Sequence, residues 1–226
     1  MTESKLEILG LDIGFSATRR TSGVARLSGS NLVCGRATST WKSRVELLGD
    51  RVADVAAIDG PLLQDLCYQK RVCEYIFTLG LFSRRCKPGL SHVPGTGRRF
   101  REAAHETAKQ LANLTRGHDP RSEFPRVWAG KNLVEAFPNA FLGVLISGTR
   151  FDARPGLRRG KKFDWLYEQC SITLAFRHVI DAIGSEKVRD LLQAIEANRD
   201  HEERAALVCL LTAAAVAVGR YTAVGD

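Results

Sequence analysis

The order of strand and helix patterns in the first 60 residues restricts the fold more than any other feature of the sequence. Three short strand patterns come first, a helix pattern follows and a continuous apolar strand comes last, at residues 6–13, 21–27, 32–37, 45–52 and 55–58. The tetrad Ser28-Gly29-Ser30-Asn31 is typical of a tight turn between strands. A fully apolar strand after a helix indicates a parallel, buried position. The order therefore predicts an α/β fold whose mixed sheet has three antiparallel strands followed by parallel ones, flanked by helices.

The rest of the chain predicts an insert and a helical end. Residues 60–130 hold five of the seven prolines and are predicted to form a basic, loop-rich insert with helices over 71–79 and 101–116. A further strand is predicted over 131–137, followed by helices over 139–146, 163–175, 177–183, 186–197 and 202–219. Because no linker is long enough to divide the chain, residues 1–226 are predicted to form a single domain.

Composition excludes several classes of protein. Apolar residues make up 44% and charged residues 26% of the chain, which are ordinary globular values. The six cysteines are scattered without a CxxC pair, which favours reduced thiols. Residues 1–9 carry charges that a signal peptide would lack. The apolar stretch at 205–219 is shorter than the roughly 20 residues of a membrane span. We therefore expect a cytoplasmic protein with no membrane partner.

The net charge of +8 is concentrated in two stretches. Residues 84–126 contain ten Lys or Arg against four acids, and residues 150–162 contain six against one. Arginines in Gly- and Pro-rich loops are suited to contact phosphates, so nucleic acid is the expected partner; a solvated basic surface is the alternative. The candidate substrate-binding residues from these stretches are Arg84, Arg85, Arg98, Arg99, Arg158, Arg159 and Lys161.

Three carboxylates interrupt apolar strand sequence. Asp12 and Asp59 stand where two strands end, and Glu135 lies inside a third. A charge there is costly unless it is paired or binds a cation, so each alone is explained by a turn or an ion pair. Three repeats of the pattern favour a shared site. Neighbouring strands would bring like charges together, and a hard divalent cation such as Mg²⁺ would relieve their repulsion.

A fourth acid comes from the start of the last helix. Asp200 is predicted to be the N-cap and Glu203 its capping-box partner, which explains both residues structurally. Glu202 is then left to reach the other acids if the helix packs on the sheet near Asp12.

Five short motifs, taken in order, resemble those of domain-of-unknown-function family 429. They are GLDIG at 10–14, AIDGPL at 57–62, RVCE at 71–74, VEAFP at 134–138 and AALVCLLTA at 205–213. The resemblance spans nearly the whole chain and implies a ribonuclease H-like fold, which the strand order also resembles. That family is predicted to contain nucleases similar to Holliday-junction resolvases of the RuvC kind. The resemblance implies that Asp12, Asp59 and Glu135 are catalytic and metal-binding, and Arg71 is a further candidate for substrate binding.

The last motif departs from the family pattern. Resolvase-like members resemble D-x-x-D-A on the final helix, which matches residues 202–206 with Glu202 as the first acid; a register that starts at His201 is the alternative. The second acid is then replaced by Ala205 or Arg204, and neither binds metal. Either Glu202 alone completes the catalytic and metal-binding set, or the site is degenerate.

An intact site implies hydrolysis of phosphodiester bonds by two Mg²⁺ or Mn²⁺ ions roughly 4 Å apart and bridged by Asp12. Asp59, Glu135 and Glu202 would complete their shells, and no histidine base is required. Two alternatives stay open: a non-catalytic nucleic-acid-binding protein with a degenerate site, and an actin-like phosphotransferase, because residues 11–18 also look like a phosphate loop of sugar kinases. The choice between DNA and RNA, and a homodimer, are likewise open.

Overall fold

The core of the protein is one five-stranded mixed sheet. The computed structural model describes residues 6–62, 69–85, 91–115, 133–152, 155–157 and 161–222. The strands are β1 (Glu7–Asp12), β2 (Ser22–Ser28), β3 (Asn31–Ala37), β4 (Val55–Asp59) and β5 (Leu133–Ala136), in the order β3-β2-β1-β4-β5. β1, β2 and β3 form an antiparallel meander, whereas β4 runs parallel to β1 and β5 parallel to β4. The predicted α/β class and mixed sheet are confirmed.

Helices cover both faces of the sheet. They are α1 (Trp41–Leu48), α2 (Val72–Ile76), α3 (Gly80–Arg85), α4 (Thr96–Ala112), α5 (Pro138–Leu145), α6 (Gly148–Asp152), α7 (Lys161–Ile172), α8 (Ala175–Ile183), α9 (Arg189–Ala197) and α10 (His201–Ala217). In the described ranges, none of these helices is long and apolar enough to cross a membrane.

The two faces of β1 belong to two different apolar clusters. Ile8 packs with α10 and the C-terminal helices, whereas Leu9 and Leu11 pack with residues of α1 and α4. This alternation is the period of two that a strand imposes on its side chains. The sheet is therefore buried on both sides along β1 and β4, as their apolar sequence predicts.

Two glycines let α10 lie directly on the sheet. A Cβ atom at Gly10 would overlap the α10 backbone at Ala206 and Leu210, and one at Gly23 would overlap the carbonyl of Glu202. Close backbone approach of this kind is available only to glycine. The contact at Gly23 fixes the beginning of α10 beside the ends of β1 and β2.

The helices differ from the predictions mainly at their ends. α1 begins earlier than the predicted 45–52 because Thr40 caps it by accepting from Ser43 N, and it ends at Gly49, whose φ is 67°. The predicted helix over 163–175 ends at Ile172, since Leu174 has a φ of 59°. The short helices α3 and α6 were not predicted, because five or six residues carry no readable periodicity.

Candidate active site at the ends of β1 and β4

Asp12 and Asp59 stand side by side at the ends of neighbouring parallel strands. They are Cα partners in the pairing of β1 with β4, and both are partly buried. Parallel strands deliver their last residues to the same edge of a sheet, so the register brings the two carboxylates together. The structure thus confirms the expected neighbourhood of these two acids.

Glu202 joins them from the first turn of α10. Asp200 is the N-cap, and its Oδ1 accepts from the backbone N–H groups of Glu202 and Glu203 at 3.1 Å each. Arg36 of β3 lies 3.3 Å from Asp200 Oδ2 and 3.6 Å from Glu202 Oε1. The cap and Arg36 therefore hold Glu202 near Asp12, as predicted. Only half of the predicted capping box is therefore formed: Glu203 N donates to Asp200, but Asp200 N donates to Asn198 Oδ1 at 2.9 Å, and the Glu203 carboxylate accepts from Asn198 Nδ2 at 2.7 Å.

The three acids repel one another. Burial raises the pKa of Asp12 well above its ordinary value, and the charges of Asp59 and Glu202 raise it further, against the Gly23 N–H and Arg44, which lower it. The same acids act on a thiol beneath them: burial raises the pKa of Cys209, and Asp59 and Asp12 add to the shift. A bound cation relieves repulsion of this kind between neighbouring carboxylates.

The negative charge of Glu135 is balanced by a basic side chain of the same protein, Arg71. Its Cα partner is Ile58, one residue before Asp59. Its two oxygens each accept from one terminal nitrogen of Arg71 at 2.7 Å, and Oε2 also accepts from Leu62 N at 3.1 Å. Burial would lower the pKa of Arg71, but the hydrogen bonds and charge of Glu135 raise it above its ordinary value. The structure therefore places the predicted ligand Glu135 and the predicted substrate contact Arg71 against each other.

The same network continues to a buried acid in α2. Glu74 accepts from Ser91 N at 2.9 Å, Ser91 Oγ at 2.5 Å and Arg71 N at 3.3 Å, and it lies 3.1 Å from His92 Nδ1. Burial would raise the pKa of Glu74, but these hydrogen bonds lower it. This pairing makes the RVCE motif a structural element that positions Arg71 toward Glu135.

Arg204 and Ala205, the residues at the second acidic position in the two predicted registers, are both buried. The Arg204 guanidinium lies 3.5 Å from Asp164 and 3.4 Å from Glu168, both of α7. Ala205 is buried in the apolar cluster under α10. Arg204 is thus a packing residue between two helices, and Glu202 is the acid that α10 contributes in either register.

The predicted basic residues separate into two groups. Arg98, Arg99 and Lys161 are exposed, and Arg98 and Lys161 approach acids of their own helices. Arg85 turns inward, where Nη1 donates to the Ile146 carbonyl at 2.9 Å. The side chain of Arg84, and the whole of Arg158 and Arg159, lie outside the described residues.

Arg44 is a site residue that sequence reasoning missed. It is 1% exposed, and its charge lowers the pKa of Asp12. Its position four residues before the buried Leu48 places it on the inner face of α1, so the helical period was a signal that was available.

Among the described residues, no group of three or more His, Cys, Asp or Glu side chains is arranged to hold a metal ion. A scan against protein-family models, a search of curated proteins and a search of solved structures each found no match to this chain. The family resemblance of the five motifs stays a prediction.

Proposed function

We propose that this chain is a nuclease that hydrolyses phosphodiester bonds of nucleic acid with Mg²⁺ or Mn²⁺ as cofactor, on a ribonuclease H-like fold. The observation that carries the proposal is the proximity of Asp12, Asp59 and Glu202, where burial first and then the charges of the other two acids raise the pKa of Asp12. The β3-β2-β1-β4-β5 order, antiparallel and then parallel, supports the fold assignment.

The chemistry of the three donors suits a hard divalent cation, although their side chains as they stand in the described structure are not arranged to hold one. All three side chains offer carboxylate oxygens, which Mg²⁺ and Mn²⁺ prefer. Among the described residues, Arg36 lies 3.6 Å from Glu202, and the charge of Arg44 acts on Asp12. Asp12, Asp59 and Glu202 would hold the cofactor. When bound, the cofactor supplies acidified water and neutralises charge on the reacting phosphate.

The remaining residues position the acids and the substrate. Ser22 Oγ donates to the Asp12 carbonyl at 2.6 Å and holds the strand end, while Arg36 orients Glu202. The exposed Arg98 and Arg99 of α4 would contact the nucleic acid. Arg71 balances the negative charge of Glu135 beside Asp59, which limits the repulsion at this edge.

Cleavage of a panel of labelled nucleic acids tests the proposal. Single strands, duplexes and junctions of DNA and RNA are incubated with Mg²⁺, Mn²⁺ or EDTA. We expect metal-dependent cleavage that falls at least about 10²–10³-fold in Asp12→Asn, the range known for loss of one preorganised hydrogen-bond donor in an active site. Glu46→Gln, which alters an exposed acid of α1, is the matched control and keeps full activity.

Metal binding gives a second readout that is independent of cleavage. We expect Mn²⁺ to raise the Tm of the protein and of Glu46→Gln but not of Asp12→Asn, because a ligand that binds only the folded state stabilises it. Binding of nucleic acid without cleavage, together with no Mn²⁺ effect at millimolar concentration, would contradict the nuclease and favour the non-catalytic binding protein.

A further inference from the structure

A cavity of about 400 Å³ opens beside the carboxylate cluster, between α4, α1 and the turn after β1. Gly14 and Phe15 form its wall on the sheet side, directly after Asp12 in the chain. The Cα atoms of Asp12 and Phe15 are at most about 11 Å apart, because consecutive Cα atoms are about 3.8 Å apart. The volume is within the range of small-molecule sites. A molecule bound at the acids is therefore within reach of the cavity.

The walls of the cavity carry both signs of charge. Glu102 and Glu106 are four residues apart and line it from one face of α4, and Arg99 lines it one turn before Glu102. Arg98 Nε donates to one oxygen of Glu102 at 2.7 Å, and Gln110 Nε2 donates to one oxygen of Glu106 at 3.3 Å. Each carboxylate keeps a second oxygen that can accept hydrogen bonds. Such walls suit a flat polar ligand that has both donors and acceptors, rather than a simple ion.

Arg44 adds a buried cation to the cavity lining. Its Nη1 donates to Thr107 Oγ1 and Gln110 Oε1 at 2.8 Å each, and Nη2 donates to Ser22 Oγ at 3.4 Å. Nε has no hydrogen-bond partner in the described structure. Burial lowers the pKa of Arg44 to about 10, so the side chain stays charged at neutral pH. The charges of Glu106 and Asp12 act on Arg44, but no ion pair within 4.0 Å is formed to it among the described residues. A buried cation of this kind favours a ligand that presents acceptor atoms.

Phe15 supplies a stacking surface at the cavity. Its side chain is 54% exposed although it is a large aromatic ring, and it meets Phe100 edge-on with ring centroids 6.2 Å apart. More than half of the Phe15 side chain is therefore left open for contact with a ligand. Aromatic faces next to a basic surface are the usual platforms for unstacked bases.

We infer that the cavity binds one unstacked guanine of the nucleic acid whose backbone lies at the carboxylate cluster. This inference rests on the proposed function. Guanine combines O6 and N7 acceptors, which suit Arg99 and Arg44, with N–H donors at N1 and N2, which suit the carboxylates of Glu102 and Glu106. Phe15 stacks on the base.

Calorimetric titration with mononucleotides in EDTA tests the inference without cleavage. We expect GMP to bind about tenfold more tightly than UMP or ribose 5-phosphate, a difference of about 1.4 kcal/mol. We expect Glu106→Gln to lower the affinity for GMP about tenfold and Phe15→Ala to lower it similarly, since stacking on one ring contributes that much. Glu46→Gln is the control and should bind GMP normally.

Equal affinity for ribose 5-phosphate and GMP would overturn the inference, since the cavity would then bind phosphate and not the base. An unchanged GMP affinity in both Glu106→Gln and Phe15→Ala, each with a normal Tm, would overturn it by locating the site elsewhere. The two proposals fail separately: loss of GMP selectivity with intact cleavage removes only the guanine site, whereas GMP selectivity in a protein that cleaves nothing removes only the nuclease.

Discussion

The two ends of β1 each carry an acid, and the surroundings of the two acids shift their pKa values in opposite directions. Glu7 is buried at the start of the strand, where its carboxylate accepts from Arg26 Nη2 at 2.8 Å and from Ser28 Oγ at 2.5 Å. Asp12 is at the other end, where its neighbours are Asp59 and Glu202. Burial would raise the pKa of Glu7, but its partners lower it, whereas the pKa of Asp12 is raised. A buried acid thus has a structural role where cations match it and is a candidate for chemistry where other acids surround it.

The largest effect on stability is expected at the start of β1, where the charge of Glu7 is balanced by Arg26. Glu7→Ala leaves Arg26 buried without its carboxylate, and we expect the free energy of unfolding to fall by about 3–5 kcal/mol. Because the folded-state pKa of Glu7 is lowered, its contribution is present above the ordinary pKa of 4.5 and is lost as the pH falls through the folded-state value. Urea unfolding of the protein and the variant from pH 7 to pH 3 measures both effects.

The control is the double variant Glu7→Leu with Arg26→Leu, which removes both charges and should recover part of the lost stability. A loss in Glu7→Ala that is independent of pH would contradict the assignment of the matched pair.

A smaller loss is expected when Glu135 loses its partner. Arg71→Ala removes two hydrogen bonds to a partly buried carboxylate, and we expect the free energy of unfolding to fall by about 2–3 kcal/mol. Arg71→Lys should lose less, because it keeps the charge but not the two-pronged geometry. Thermal unfolding of the three proteins checks the order, and equal Tm values would show that the pair is not formed.

At the other end of β1, removing the acid Asp12 should raise the stability of the protein instead of lowering it. Asp12→Asn removes a charge whose folded-state pKa is raised, so the protein binds more protons folded than unfolded between the two pKa values, and its stability falls as the pH rises through that window. We expect the variant to have a higher Tm at pH 8, by a few degrees, since 1 kcal/mol corresponds to about 2–4 °C in a chain of this size. The gain should disappear below the ordinary pKa of 3.8.

Glu46→Gln, the same kind of change at an exposed acid, should leave the Tm unchanged at every pH. A lower Tm for Asp12→Asn at pH 8 would contradict this expectation, since it would mean that cations balance the charge of Asp12 as Arg26 balances that of Glu7.

The smallest effect on stability is expected from Arg36, the exposed cation beside Asp200 and Glu202. Arg36 is 39% exposed and lies 3.3 Å from Asp200 and 3.6 Å from Glu202. We expect Arg36→Ala to cost less than about 1 kcal/mol in unfolding free energy, as is usual for exposed ion pairs. The effect should shrink further in 1 M salt, and a loss as large as that of Glu7→Ala would show that the cluster is not short of cations.

Most of the fold could be predicted because the strands carry their own signals. β1 to β4 and the long helices α4 and α10 follow from periodicity and turn residues. Helix ends were harder, since a cap such as Thr40 depends on one hydrogen bond. The pairing of Asp12 with Asp59 was predictable from two acids at the ends of neighbouring parallel strands. The burial of Arg44 was readable from the helical period, but its partners Thr107 and Gln110, like the partner of Arg71, lie 60 or more residues away in the chain and were not predictable.

The sequence by itself determined the α/β order, the ends of β1 and β4, and the acids that stand there, because local periodicity and side-chain charge are properties of short segments. Only the tertiary structure decided which acids are compensated. Glu135, Glu7 and Asp12 are all single carboxylates in apolar strands. Glu135 forms an ion pair with Arg71 and Glu7 forms one with Arg26, whereas Asp12 lies beside two further acids. The physical reason is that the cost of a buried charge depends on the groups within a few ångströms, and the packing of distant segments determines which groups those are.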